Sequence, residues 1–174
     1  QGESNASRPA EYAEVFPAMI RAWRAQWNQG DFPFYFVQLA SYTVANDATG
    51  RSWAWLREAQ TRALALPNTG MAVAIDIGDP KDIHPRNKQE VGRRLALLAK
   101  AKVYEIPVDC SGPIFVAAKR EGAAVRVSFT QAADSLTAGG KPLQAFELAG
   151  ADRKFYPATA RIEHDTILVK SEER

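Results

Sequence analysis

"FPFYFVQLASY", residues 32–42, decides the fold class. It is a near-continuous apolar run of strand length, rich in aromatic side chains, of the kind that suits a strand covered on both faces. Its neighbours give it meaning. Upstream, "AEYAEVFPAMIRAWRAQWNQ" (10–29) sets Phe16, Ile20, Trp23 and Trp27 at spacings of four, three and four. That is one helix face, which places both tryptophans in the core, with Gly30 ending the helix. Downstream, "SWAWLREAQTRALAL" (52–66) returns to helical spacing, with Trp55, Ala59, Leu64 and Leu66 available for packing. Trp53 and Trp55 cannot share one helix face, so one of them is expected to be exposed near the ligand end. "PNTG" breaks this helix, "MAVAIDI" (71–77) reads as a second buried strand, and "NKQEVGRRLALLAKAKVY" (87–104) as a third helix with a Val91, Leu95, Leu98 stripe.

Helix, strand, helix, strand, helix is the alternation of a parallel sheet with helices on its faces. In such sheets ligands gather at the carboxyl ends of the strands. Gln38, Asp76 and the loop "GDPKDIHPRNKQ" (78–89) all follow strand ends, which makes Gln38 a candidate substrate-binding residue. After about residue 111 the character changes. "AAVRVSF" alternates, short strands and Gly-rich turns follow, and no helical period remains. A boundary near Ser111–Pro113 is expected, dividing the chain into an α/β part (1–110) and a β-rich, β-sandwich-like module (111–174). His164, in "RIEHDTILV", falls at an expected turn and reads as structural or exposed.

Composition narrows the partners. The 174 residues are 46% hydrophobic and 24% charged, with formal net charge +2 and basic residues mixed among acids. Neither nucleic acid nor a membrane is expected as partner. The single cysteine, Cys110, has no disulfide mate and no metal-ligand companion, and no cofactor or metal motif is present. The chain opens without Met on "QGESNASRPAEY" and is expected to come from the middle of a longer sequence.

Two stretches carry chemistry. His84 lies between Asp82 and Pro85, in a loop that also holds Asp79. A histidine base needs a carboxylate to fix its tautomer, and an Asp two residues away can curl back across a turn that Pro85 stiffens. The competing reading makes Asp82 and Asn87 helix-start caps and His84 a solvent-exposed loop residue. Spacing alone favours this second reading. "QGESN" (1–5) pairs a glycine, whose N–H a tight turn can expose, with an asparagine amide. These are oxyanion-hole components, although the stretch taken in isolation reads as a flexible terminus. No serine sits in a G-x-S-x-G elbow.

The blocks "QGESNA", "FPAMIRAWRAQWNQGDFPFYFVQLA" and "LREAQTRALALPNTGMAVAIDIGDPKDIHPRNKQEVGRRLAL" together resemble the sialate O-acetylesterases, members of the SGNH (GDSL-like) hydrolases. The likeness spans nearly all of residues 1–108, and the β module more loosely. It implies an α/β fold with a three-layer α/β/α domain around a parallel sheet, of which this chain holds the C-terminal part, followed by an incomplete all-β module. It implies hydrolysis of acetyl esters on sialic acids or related sugars, with His84 as base and Gly2 and Asn5 in the oxyanion hole. The usual acid position, three before the histidine, is Lys81 here. Asp82 and Glu3 are the candidates, with Asp82 slightly preferred. The family's nucleophile sits in a G-Q-S-N block that this chain lacks, so the serine is expected on sequence outside it and this chain alone is expected to be inactive. An acetylxylan esterase of the same superfamily and a non-catalytic carbohydrate-binding or structural fragment are the alternatives. Acetylated sialic acid or another acetylated sugar is the expected partner. Self-association, or association with the N-terminal part, is expected from the open sheet. The resemblance places the protein in a secreted or periplasmic setting.

Overall fold

The computed structural model describes residues 2–131 and 136–171. The chain divides into two compact units, Gln1–Cys110 and Ser111–Arg174. The first holds α1 (Pro9–Trp27), β1 (Phe34–Val37), α2 (Ser52–Arg62), β2 (Thr69–Ala72) and α3 (Lys88–Lys102). β1 and β2 pair in parallel, Phe34 with Thr69 through Val37 with Ala72.

Strand alternation distributes the packing. Phe36 meets the Phe16 ring of α1 edge-on at 5.0 Å, and Trp23 lies 5.8 Å from Phe34. Tyr35 stands with Gly70, where an added Cβ would sit 2.8 Å from the Tyr35 ring and 3.2 Å from Leu98 of α3. The absence of a side chain at Gly70 therefore sets how closely α3 and Tyr35 approach. The main core gathers Tyr12, Ala13, Phe16, Ile20, Phe36, Leu39, Trp53, Leu56, Ala59 and Ala63, with Ile20 and Leu56 fully buried.

α1 starts with Pro9 at its first position, where no intrahelical N–H partner is lost. It ends on Asn28 rather than Gly30. Asn28 takes the left-handed conformation (φ 50°) and donates its N–H to the Arg24 carbonyl. The two C-terminal tryptophans depart from expectation: Trp23 is 51% and Trp27 66% exposed. The inward position in the last turns belongs to Arg24, whose buried guanidinium donates to the carbonyls of Phe32 and Pro67 and pairs with Asp31. Trp23 and Trp27 are left to lean on Phe34 and Phe32 at the rim.

α2 is similarly rotated from its expected phase. Trp53, Leu56, Ala59 and Gln60 face inward, while Trp55 is 39% exposed. The Trp53 indole donates to the Ala40 carbonyl at 2.7 Å, which draws that ring under the chain beyond β1. A 3-10 turn at Ala63–Ala65 follows α2. The second strand is shorter than the apolar run 71–77 suggests. It ends at Ala72, and Ile75–Ile77 form a 3-10 turn because the Asp76 carboxylate and the Val73 carbonyl are drawn to Arg94 of α3. α3 is capped by the Asn87 side chain, which accepts from Glu90 N–H.

The second unit is one antiparallel sheet: β3 (Ile114–Glu121), β4 (Ala124–Thr130), β5 (Phe146–Ala149), β6 (Phe155–Glu163) and β7 (Thr166–Lys170), in the order β3-β4-β7-β6-β5. Its described residues form a single five-stranded sheet. His164 sits in the tight β6–β7 turn with φ 57°. Arg126 on β4 bridges Glu121 and Glu163.

Candidate active site

The loop after β2 carries His84 on a defined turn. The Asp82 carboxylate accepts the His84 backbone N–H at 2.9 Å, and the same oxygen lies 3.7 Å from the imidazole Nδ1. That separation is too long for a hydrogen bond. The Asp79 carboxylate accepts the Lys81 N–H at 2.8 Å, and Asp79 and Asp82 bridge across the bend. Lys81, at the position three before the histidine, presents no acid. The His84 side chain is 86% exposed.

Two contacts tie this loop to the chain beyond β1. Thr43 N–H donates to the Pro80 carbonyl at 3.0 Å, and the Ser41 hydroxyl donates to the Ile75 carbonyl at 2.8 Å. Gly78 lies so close to Ser41 that an added Cβ would fall 2.2 Å from the Ser41 nitrogen. Only a residue without a side chain permits that approach. Next to His84, Ile83 packs on the main core.

The other block lies on the same core. Glu3–Asn5 form one 3-10 turn in which Asn5 N–H donates to the Gly2 carbonyl at 2.8 Å, and Ala6 is buried. Gly2 has φ 144°, which a side chain would strain, and its Cβ position is filled by the Tyr12 ring at 2.8 Å. Burial pushes the Tyr12 phenol above its ordinary pKa against a hydrogen bond from Gln60, and the Glu3 charge adds to the rise. Gln60 in turn accepts the Leu39 N–H at 3.0 Å. A chain of contacts thus runs from Gly2 through Tyr12 and Gln60 to Leu39, just past the carboxyl end of β1. The His84 loop is bonded to the chain at Thr43, and the Gly2–Asn5 block reaches Leu39 through Tyr12 and Gln60, at the end of a parallel sheet where ligands bind.

The candidates differ in what occupies them. In this structure the Gly2 N–H donates to the Glu3 carboxylate at 2.8 Å, so Glu3 and Gly2 are partnered with each other. Gln1 lies outside the described residues. Gln38 is 7% exposed, and its amide nitrogen donates to the Arg57 carbonyl and the Thr61 hydroxyl, both at 3.1 Å. Its side chain binds α2 to the end of β1, so the amide offers no donor for a substrate. The alternation of the run 32–42 does not show that Gln38 points inward.

One cluster escapes the sequence reading. Arg94 donates to the Val73 carbonyl and to both Asp76 oxygens at 2.6 Å, and to Glu90 at 2.8 Å. The Arg94 guanidinium holds Asp76 below the usual carboxylate range, and Arg93 with Arg94 brings Glu90 down to about 2. The Glu90–Arg94 spacing of four is legible on the helix, whereas the partner Asp76 is not. Among the described residues, no group of three His, Cys, Asp or Glu side chains is placed to hold a metal ion. No helix of the described residues is long and apolar enough to cross a membrane.

Comparison with known proteins places the chain in a family of carbohydrate esterases. Residues 1–100 match the family described as carbohydrate esterase, sialic acid-specific acetylesterase, and the chain belongs to that family. Over 133 residues it is 39% identical to the sialate O-acetylesterase of Rattus norvegicus, a match covering 66% of this chain and 24% of that protein. The Homo sapiens sialate O-acetylesterase is 36% identical over 133 residues, covering 66% of this chain and 25% of that protein. The chain thus spans about a quarter of the length of these curated relatives. A crystal structure described as a novel carbohydrate acetylesterase from Xanthomonas citri superposes with TM-score 0.90 at 44% identity, covering 99% of this chain and 41% of that one.

Proposed function

We propose that this chain supplies the base and the oxyanion-hole side of a serine esterase that removes O-acetyl groups from sialic acids or related sugars. The serine lies on the parent polypeptide outside these residues. The observation that carries the reading is that two blocks lead to one strand end: the loop that holds Asp82 and His84 is bonded to Thr43 through Pro80, and the Gly2–Asn5 block reaches Leu39 through Tyr12 and Gln60. Family membership and the Xanthomonas citri likeness support it.

In the proposed reaction the serine oxygen attacks the acetyl carbonyl while the exposed His84 imidazole takes its proton. Asp82, in contact with Nδ1, favours the resulting imidazolium. The tetrahedral oxyanion takes hydrogen bonds from the Gly2 N–H and the Asn5 amide, which requires the Gly2 N–H to exchange Glu3 for the substrate oxygen. Collapse expels the sugar hydroxyl, which recovers the proton from His84. Water, deprotonated by His84, then attacks the acetyl-serine, and acetate and free serine result. The α/β unit would form the C-terminal part of a three-layer SGNH domain, and glycan substrates favour a secreted or periplasmic setting.

The test is acetate release by the full-length protein from 9-O-acetylated sialic acid and from acetylated xylan. His84→Ala is expected to lower kcat by about 10³-fold or more with an unchanged circular dichroism spectrum. Near-full turnover by that variant would refute the assignment. Parallel Asp82→Ala and Glu3→Ala variants identify the acid partner as the one whose loss is the more damaging.

A further inference from the structure

His84 rides on a loop, and the loop's aim depends on what closes its base. Thr43 holds its first part at Pro80 against the chain beyond β1, and Ser41 holds Ile75 just before it. Its two ends are joined by one side chain. Arg94, on the second turn of α3, reaches the Val73 carbonyl and the Asp76 carboxylate, both just past β2. Its Nε is engaged by Glu90 on the same helix. Glu90 also donates its backbone N–H to the Asn87 cap, immediately after the loop. The strand end, the helix start and residues 77–87 between them are therefore one hydrogen-bonded unit.

The geometry is specific to arginine. The two Asp76 oxygens meet Nη1 and Nη2 in a fork while Nε faces Glu90 and Nη1 also serves Val73. A lysine ammonium, a point charge with rotatable donors, cannot hold that planar arrangement. The Arg94 side chain is 23% exposed and the Asp76 side chain 60%, so the fork's value lies in its fixed geometry rather than in burial. Four of its N–H donors already have protein acceptors, which fits a residue that acts on the loop rather than on a substrate.

We propose that Arg94, with Asp76 as its counter-ion, is a positioning residue that sets His84 against the serine hydroxyl whose proton it takes. The proposal rests on the reading of His84 as the base. A displacement of about 1 Å at a reacting group costs roughly 100-fold in rate. Loosening the base of the loop therefore lowers kcat and leaves KM unchanged.

The experiment uses the full-length protein with 4-nitrophenyl acetate and 9-O-acetylated sialic acid as probes. Arg94→Lys keeps the charge and loses the fork; Asp76→Asn keeps the shape and loses the charge. Both are expected to lower kcat by roughly 10- to 100-fold with KM unchanged, while amide NMR shifts of Asp82 and His84 move and the fold is retained. Wild-type kcat in either folded variant overturns the proposal, and so does a rise in KM at unchanged kcat, which would mark a substrate contact. If Arg94→Lys fails to fold, Asp76→Asn decides alone. Failure of both to fold overturns the proposal in favour of a purely structural pair. His84→Ala, run alongside, separates the two readings: activity retained there sinks the base assignment. Activity lost there but kept in both clamp variants sinks only the positioning role.

Discussion

Gly78→Ala is the sharpest perturbation the structure offers. The residue has φ −77° and ψ 171°, ordinary extended backbone for any amino acid, so its cost is steric and not conformational. The added Cβ would lie 2.2 Å from the nitrogen, 2.5 Å from the oxygen and 2.7 Å from the Cα of Ser41. All three are backbone atoms, so no rotamer change relieves them. To reach the 3.0 Å that real Cβ contacts require, the two segments must separate by about 0.8 Å. That motion pulls on the Thr43–Pro80 and Ser41–Ile75 hydrogen bonds as well. Overpacking of this kind costs roughly 1–3 kcal/mol, and one weakened hydrogen bond adds about 1 kcal/mol. The expected loss is therefore about 2–4 kcal/mol, or on the order of 10–20 °C in Tm for a unit of this size. Tryptophan fluorescence in urea measures it cleanly, because Trp23, Trp27, Trp53 and Trp55 all fall in residues 1–110. A variant within about 0.5 kcal/mol of wild type would refute the close approach of residues 41 and 78 and, with it, the mooring of the His84 loop.

Two other outcomes follow from the same region. Glu90 and Asp76 have carboxyls held below their unfolded values, so the folded state binds fewer protons than the unfolded one. Their contribution is present above the ordinary glutamate pKa of 4.5 and is lost as pH falls toward 2. Arg94→Met is expected to flatten that acid limb of the urea midpoint, and an unchanged limb would assign acid sensitivity elsewhere. Gly92, by contrast, sits inside α3 with nothing within 4 Å of an added Cβ. Gly92→Ala should raise stability by about 0.5–1 kcal/mol, and a lower urea midpoint would contradict the open space there.

The alternation of helices and strands was legible because apolar run length and helical spacing are local properties. The phase of each helix was not. The spacing from Phe16 to Trp27 is compatible with a buried stripe, yet burial depends on whether anything lies beneath the last turn. There the sheet has not begun, and Arg24 satisfies loop carbonyls instead. The same logic explains the shortened second strand. "MAVAIDI" is apolar enough to extend to Ile77, but Asp76 is claimed by Arg94, a residue eighteen positions on. Of the candidate site, the Asp82–His84 turn follows from i, i+2 chemistry and was readable. That Gly2 and Glu3 partner each other, and that Gln38 faces α2, are tertiary facts without a local signature.

Arg24 has a consequence for how the first unit comes apart. Parallel strands are joined only through a crossover, and the carbonyls of Phe32 and Pro67 become neighbours only once α2 has packed. One buried cation on α1 then spans both strand starts. Opening the last turn of α1 strips two carbonyls of their donor at once, and releasing either strand leaves the guanidinium buried and underbonded. Helix and strands are thereby tied to one another, and their amides are expected to exchange with a single opening free energy rather than fraying element by element.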